Sequence, residues 1–205
     1  MKPAAAMRGM TLLELLLVLA VIGILALAAG WGSRQALQRW QAWRGVHQVL
    51  EDLKEAQAQA ERTGGFALDG GSLVTARVFL AFEPAAGRYT LYRWQDSNGD
   101  GRPDEGESRR LWTRQLPPTV AFGWGAGIDR KACSNGEGQP TAPVTFGTAG
   151  YPPCSGRPCL KFDQQGFSSI GPGAVYLVDG GQSFALTATR PGLFTLCRWD
   201  GRQWR

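Results

Sequence analysis

The sequence predicts an α+β fold in which one long N-terminal helix, half transmembrane and half amphipathic, packs against an antiparallel β-rich globular head. Two observations support this prediction. An almost uncharged apolar stretch is followed by apolar residues at helical spacing. Further on, short alternating runs are separated by glycine and proline, of which the chain has 28 and 12. The expected parts are a cleaved leader at 1–9, a transmembrane helix at 10–31, an amphipathic helix at 32–63 and the head at 64–205.

The apolar stretch at 10–31 is long enough to cross a bilayer. It contains one charged residue, Glu14. A helix rises about 1.5 Å per residue, so this stretch would extend about 33 Å, against a hydrocarbon core of about 30 Å. A secretory signal is cut after its apolar run, whereas the natural break here, at Gly9, precedes it. We therefore expect the apolar stretch to stay in the mature protein.

The residues around this break carry a motif. Residues 8–15, with the sequence RGMTLLEL, resemble the processing site of type IV prepilins and of type II secretion pseudopilins. The resemblance implies that a prepilin peptidase cuts after Gly9 and that Met10 is then N-methylated. It also implies a single-pass inner-membrane protein whose head lies in the periplasm, or at the cell surface after filament assembly.

The same resemblance gives Glu14 a role in filament assembly, in which it pairs with the N-terminal amine of the adjacent subunit. Physical reasoning agrees, because a carboxylate inside hydrocarbon costs about 2.5 to 3.5 kcal/mol and persists only where something pairs with it. The alternative is a plain signal anchor in which Glu14 reaches the lipid interface. The implied partners are other pilin or pseudopilin subunits, the prepilin peptidase and the inner membrane.

Apolar spacing predicts that the helix continues past the membrane and packs under the head. The residues at intervals of three, four or seven are Leu37, Trp40, Trp43, Val46, Leu50, Leu53 and Ala60. Gly64 and Gly65 are the glycines expected just past a helix C-terminus, so the helix should end near Thr63. We interpret the sole histidine, His47, as a packing residue of this helix.

Nine short strands are predicted after residue 65, each bounded by Gly, Pro, Asn or Asp. We expect them to form antiparallel sheet that buries one side against the apolar face of the helix. The predicted strands are 73–82, 88–95, 109–115, 119–124, 143–146, 160–163, 174–178, 184–189 and 193–199.

Two segments of the head resemble H-type pseudopilins and their minor-pilin relatives. In residues 92–107, an Asp/Asn/Gly-rich turn ending in Gly-Glu follows a strand, and a Gly-Arg pair lies at 201–202. The resemblance lapses between about 125 and 158. It implies a low-abundance subunit that initiates or caps a filament. Two roles stay open: a minor pilin acting in pilus assembly, adhesion or DNA uptake, and a secretion pseudopilin contacting exported proteins.

The turn after residue 95 has the spacing of a twelve-residue calcium loop. Oxygen donors occupy positions 1, 3, 5, 9 and 12, and a glycine occupies position 6. The corresponding residues are Asp96, Asn98, Asp100, Asp104 and Glu107, with Gly101 as the glycine. Calcium is the cofactor that this set would bind. The alternative is a solvated hairpin loop, because the flanking residues are predicted strands rather than helices.

The four cysteines lie in the C-terminal half and predict two disulfides, on the side of the membrane where thiols oxidise. Three pairings are open. We favour Cys133 with Cys154 and Cys159 with Cys197, which joins neighbours in sequence order. A zinc site is the alternative, although these spacings contain no pair of tight metal-binding turns.

No set of residues in the sequence predicts an enzyme, since there is no second histidine, nucleophile elbow or phosphate-binding loop. Charge is distributed unevenly instead. Residues 51–107 carry 6 basic and 11 acidic groups, whereas 108–205 carry 11 basic and 5 acidic groups. The basic part could meet phosphate, or the asymmetry could serve packing between subunits.

The last eight residues make DNA a candidate partner. Arg198, Arg202 and Arg205 lie there together with two tryptophans. DNA-binding minor pilins carry a Gly-Arg-x-Arg motif near the C-terminus, which this chain resembles with one extra residue between the arginines. On a straight strand Arg202 and Arg205 would face opposite sides, so both would reach one DNA backbone only if the tail curls. The alternative is a final strand whose tryptophans cap the core.

Overall fold

The computed structural model describes residues 12–63, 67–69, 72–74, 78–147, 151–168 and 172–205. The predicted leader, with Gly9 and Met10, lies outside the described residues. The chain divides into two compact units, one reaching to Trp40 and one from Gln41 to Arg205.

The described elements are one helix, ten strands and two short 3-10 helices. The helix is α1 (Leu12–Arg62), and the 3-10 helices are Pro84–Ala86 and Pro152–Cys154. The strands are β1 (Ala67–Asp69), β2 (Ser72–Val74), β3 (Val78–Glu83), β4 (Arg88–Trp94), β5 (Ser108–Gln115), β6 (Ala121–Phe122), β7 (Cys159–Phe162), β8 (Gly173–Val178), β9 (Ser183–Ala188) and β10 (Phe194–Arg198).

The predicted fold class needs correction at its transmembrane half. Within the described residues, no helix provides an apolar stretch of the length needed to cross a membrane. The transmembrane helix predicted at 10–31 and the single-pass inner-membrane location are therefore contradicted, and the body of the protein is predominantly antiparallel β structure.

Two four-stranded antiparallel sheets form the larger unit. One has the order β5-β4-β3-β7 and the other the order β10-β9-β8-β6, and β1 pairs with β2 separately. The main core contains helix residues such as Val46 and Leu53 together with Leu80 of the first sheet and Leu186 of the second, all fully buried. From about residue 42 onward, the helix therefore contributes to the same core as both sheets.

The helix face in this core agrees with the predicted one at Val46, Leu53 and Ala60 and differs from it toward the N-terminus. Leu37, Trp40 and Trp43 are exposed, although the sequence pattern placed them on the buried side. The buried positions are Ala42, Gly45, Val46, Val49, Asp52, Leu53, Ala56 and Ala60. Small side chains at Ala42, Ala56 and Ala60 let the sheets approach the helix closely, which a pattern counting only large apolar residues does not detect.

Segment 151–159 covers the outer face of the first sheet. Phe79 and Ala81 of β3 pack there against Tyr151 and the cysteine pair Cys154 and Cys159. The Phe79 and Tyr151 rings meet edge to face, with centroids 5.3 Å apart. Because this sheet is covered on both sides, β3 is apolar at successive positions rather than at alternate ones.

The two predicted disulfides are present, but in a different pairing. Cys133 is bonded to Cys197 and Cys154 to Cys159. Cys154 ends the 3-10 helix at Pro152–Cys154, and the chain turns back at once into β7, which begins at Cys159. This reversal brings Cys154 and Cys159 together. Cys133 therefore bonds to the remaining cysteine, Cys197 of β10.

Six of the nine predicted strands match described ones within one residue at each end, and three do not. The strand predicted at 73–82 overlaps two described strands, β2 and β3, which belong to different sheets. The strand predicted at 143–146 is wrong, since Val144 makes only an isolated bridge to Val175. The strand predicted at 119–124 is reduced to β6 (Ala121–Phe122). Pro140 precedes the segment at 143–146 and Pro143 begins it, and a proline lacks the backbone donor that a ladder needs.

Candidate functional site

The structure places the predicted calcium-loop residues in one turn between β4 and β5. Carboxylate oxygens of Asp96, Asp100 and Glu107 all lie within 4.8 Å of one another. Asn98 adds a side-chain contact, because its Nδ2 donates to Asp100 Oδ2 at 3.1 Å. Asp104 contributes its backbone N–H to Glu107 Oε2 at 3.3 Å. The carboxylates of three of the five predicted ligands, Asp96, Asp100 and Glu107, therefore lie close enough together to share one ion.

Glu107 is the buried member of this group, with 5% of its surface exposed. Its Oε1 accepts hydrogen bonds from the backbone N–H groups of Ser97 and Asn98, at 3.1 and 3.2 Å. Its Oε2 accepts from Trp94 Nε1 at 3.3 Å. Burial alone would raise the pKa of this carboxyl, but the backbone bond from Asp104, together with those from Ser97, Trp94 and Asn98, holds the pKa below its ordinary value. The Glu107 carboxylate therefore joins β4, the turn and the start of β5 through hydrogen bonds.

Asp96 and Asp100 organise the exposed side of the same turn. Asp96 accepts backbone N–H bonds from Gly99 at 2.6 Å and Gly101 at 3.0 Å. Asp100 accepts one from Arg102 at 2.7 Å. These bonds are also what an ordinary Asp/Asn-rich turn makes. Calcium binding by this loop stays a prediction.

A hairpin formed by residues 198–205 holds the three candidate DNA-binding arginines. The Arg198 N–H donates to the Arg205 carbonyl at 2.7 Å, and the Arg205 N–H donates back at 2.9 Å. Directly paired residues of antiparallel strands share one face, so the side chains of Arg198 and Arg205 lie on the same side. Arg202 is in the connecting turn. The tail therefore curls instead of continuing as a straight strand.

The three arginines differ in whether they form an ion pair with Asp200. Arg205 Nε lies 2.7 Å from Asp200 Oδ2. Asp200 also accepts backbone N–H bonds from Gln203 and Arg202, and these bonds are the main reason that the pKa of its carboxyl is lowered. Arg198 and Arg202 are exposed, and no carboxylate of the described residues forms an ion pair with either. Arg198 and Arg202 are therefore the available cations.

The tryptophans of the hairpin belong to the core rather than to a binding face. Trp204 is 3% exposed and packs with Tyr176, at 5.9 Å between ring centroids. Trp199 is half-buried and meets Trp204 edge to face at 5.4 Å. Stacking on nucleic-acid bases needs an exposed ring face. The hairpin therefore offers charge for nucleic acid and not a stacking platform.

The loop at 128–137 is attached to this hairpin. The Trp204 indole donates to the Arg130 carbonyl at 3.0 Å, and the Trp204 backbone N–H donates to Asn135 Oδ1 at 2.6 Å. The Cys133–Cys197 disulfide adds a covalent tie. The role of this loop could not be inferred from the sequence, and the one signal available was the cysteine at 133. The loop adds Arg130 and Lys131 to the surroundings of the hairpin.

Glu14 lies in the first turn of α1 and is exposed. The structure holds a single chain, so pairing of Glu14 with an adjacent subunit stays a prediction.

No protein-family model, curated protein or solved structure matches this chain.

Proposed function

We propose that this protein is a minor subunit of a type IV pilus-type filament, which initiates or caps assembly and contributes to DNA uptake. The proposal is supported by the prepilin-like motif at residues 8–15. One observation of the structure carries it further, namely the exposed apolar surface of α1.

Every described side chain from Leu12 to Leu27 is exposed. Leu12 and Leu27 are each 78% exposed, and leucines, valines and isoleucines fill most positions between them. Exposed apolar surface of this extent indicates an interaction site. Helices of neighbouring filament subunits would cover it by ordinary helix–helix packing.

Replacement of Glu14 tests the assembly role. We expect Glu14→Ala to lower the amount of this subunit recovered with sheared filaments, because the partner amine loses its charge partner. Glu51→Ala is the matched control, since Glu51 is an exposed acid elsewhere on α1 whose ion pair is local, with Lys54 at 3.0 Å. Equal recovery of both variants and the wild type would remove the proposed pairing.

Contact with DNA is supported by the basic hairpin. Arg198 and Arg202 are exposed, and Arg130 and Lys131 lie on the attached loop. Arginine pairs well with phosphate oxygens, and such contacts are independent of base sequence. We therefore expect weak, sequence-independent binding that decreases steeply with salt.

A second candidate function, an H-type pseudopilin contacting exported proteins, is favoured by a groove of about 600 Å³ beside the Cys133 loop. Ala132, Pro140, Pro172 and Tyr176 are among its lining residues. A gene deletion separates the two functions: loss of DNA uptake supports the pilus role, and loss of protein secretion supports the alternative.

A further inference from the structure

Strand β5 (Ser108–Gln115) forms one edge of the first sheet, where β4 is its neighbour among the described strands. In an antiparallel pair, alternate residues direct their backbone N–H and C=O groups away from the partner strand. Within the described part of the chain, residues 109–114 make no backbone hydrogen bond outside the ladder with β4. Six of the eight residues of β5 are exposed and the other two are half-buried. The outer edge of β5 is therefore accessible to a further strand.

Exposed arginines occupy both faces of this edge. The register pairs Arg109 directly with Arg93 of β4, and Arg110 with Tyr92. Directly paired residues share a face and successive residues alternate, so Arg109 and Arg93 lie together on the face that carries Leu91, and Arg110 lies on the other. Like charges directly opposite each other are unfavourable. No carboxylate of the described residues forms an ion pair with any of these three arginines.

Two acids of α1 contact this part of the sheet, and both are already bonded. Asp52 accepts the hydrogen bond from Tyr89 and lies 3.8 Å from Arg114 Nε. Glu55 Oε1 accepts the Trp112 indole N–H at 3.3 Å. β5 itself carries three arginines and no acidic residue. The arginines of this edge that form no ion pair are therefore available to acidic groups of another molecule.

One irregularity limits where a further strand can pair with β5. Leu111 has no partner on β4, because the register passes from Leu91 opposite Trp112 to Tyr92 opposite Arg110. Such a bulge bends an edge strand and interrupts regular pairing. The last four residues of β5 pair regularly with β4. We therefore expect added backbone hydrogen bonds along those four residues, and charge contacts on the other side of the bulge.

We infer that the outer edge of β5 binds an extended acidic segment of another protein, which joins the sheet as a further strand. Acidic side chains on the two faces of that segment would meet Arg109 and Arg110. The acidic turn at 96–107 joins β5 at its first residue, so the segment should end before this turn. A second copy of β5 does not fit, since it would bring like charges together. This edge belongs to a different sheet from the C-terminal hairpin and does not depend on the proposed DNA contact.

The test is a titration of the purified full-length protein with a short peptide of threonine and valine that carries two adjacent glutamates at one end. Binding is followed by calorimetry and by amide chemical shifts, which should change mainly in β5. A peptide with glutamines in place of the glutamates should bind more weakly. Arg109→Gln should weaken binding of the glutamate peptide about threefold, the effect of one exposed ion pair. Arg190→Gln is the matched control, since Arg190 is an exposed arginine in a turn outside this sheet, and it should bind like the wild type.

Two further probes test the backbone pairing and the class of partner. Methylating alternate backbone nitrogens of the peptide removes the donors of one of its two edges, so one of the two methylation patterns should abolish binding and the other should not. A short oligonucleotide that binds β5 more tightly than the peptide would assign the arginines to nucleic acid and overturn the proposal. Equal binding of the glutamate and glutamine peptides, equal affinity of the wild type and Arg109→Gln, or shift changes confined to residues outside β5 would also overturn it.

Discussion

The Tyr89 hydroxyl donates a 2.6 Å hydrogen bond to Oδ2 of Asp52, and both side chains are buried. Asp52 belongs to α1 and Tyr89 to β4, so this bond joins the helix to a sheet. Burial has the largest effect on the carboxyl and raises its pKa, although the Tyr89 bond and the Arg114 charge act in the opposite direction. Burial, followed by this same bond, also raises the pKa of the Tyr89 phenol.

The raised pKa of Asp52 predicts how stability depends on pH. A carboxyl whose pKa is higher in the folded than in the unfolded state stabilises the fold fully below the unfolded value, here 3.8. That contribution is lost as the pH rises through the folded value. We therefore expect the wild type to lose free energy of unfolding relative to Asp52→Asn as the pH rises above 3.8, measured by urea unfolding. A difference that is constant with pH, or of opposite slope, would contradict this assignment.

The two disulfides should contribute unequally to stability. Cys133 and Cys197 are 64 residues apart, and Cys154 and Cys159 are 5 apart. In the loop-entropy account, closing the longer loop stabilises by about 4 kcal/mol and the shorter by about 2 kcal/mol. To check which disulfide contributes more, each pair of cysteines is replaced with alanine. The free energies of unfolding of the two variants in urea are then compared. Peptide mass mapping of the unreduced protein provides the control for the pairing itself.

Arg202 and Arg205 should affect DNA binding differently. Each phosphate contact lowers the slope of log affinity against log salt by about 0.9. Arg202 is available for such a contact, whereas Arg205 already pairs with Asp200 at 2.7 Å. Arg202→Ala should therefore reduce the slope by nearly one unit and Arg205→Ala by clearly less, in fluorescence titrations at several salt concentrations. Identical slopes for both variants and the wild type would exclude the hairpin as the DNA contact.

Calcium binding by the turn at 96–107 can be tested against a matched turn elsewhere. We expect calorimetry to show calcium heat at millimolar concentration that disappears in Asp100→Asn. Asp179→Asn is the control, because Asp179 also accepts backbone N–H bonds in an exposed turn but belongs to no carboxylate group of the described residues. No calcium heat from the wild type would end the prediction.

Local features were predictable where neighbouring residues determine them. α1 ends at Arg62, one residue before the end that the sequence predicted. The bounds of β8 and β9 differ by at most one residue from the strands predicted at 174–178 and 184–189. The turn at 96–107 was also recognisable, since its Asp and Asn side chains bond to backbone two to five residues away.

Features that depend on distant residues were not predictable. The disulfide pairing was wrong, because sequence order does not show that the chain reverses between Cys154 and Cys159. Asp52 was missed, since only the fold brings Tyr89 to it from 37 residues away.

The covering of β3 by segment 151–159 bears on aggregation. Residues Val78 to Phe82 are uncharged, apolar and fully buried, with β4 and β7 paired on either side. Segments of this composition add to copies of themselves when they are exposed. Cys154 and Cys159 hold one of the two layers that shield this strand. We therefore expect a chain that folds under reducing conditions to aggregate through exposed β3. This aggregation should occur under conditions in which the folded protein is still stable enough not to unfold.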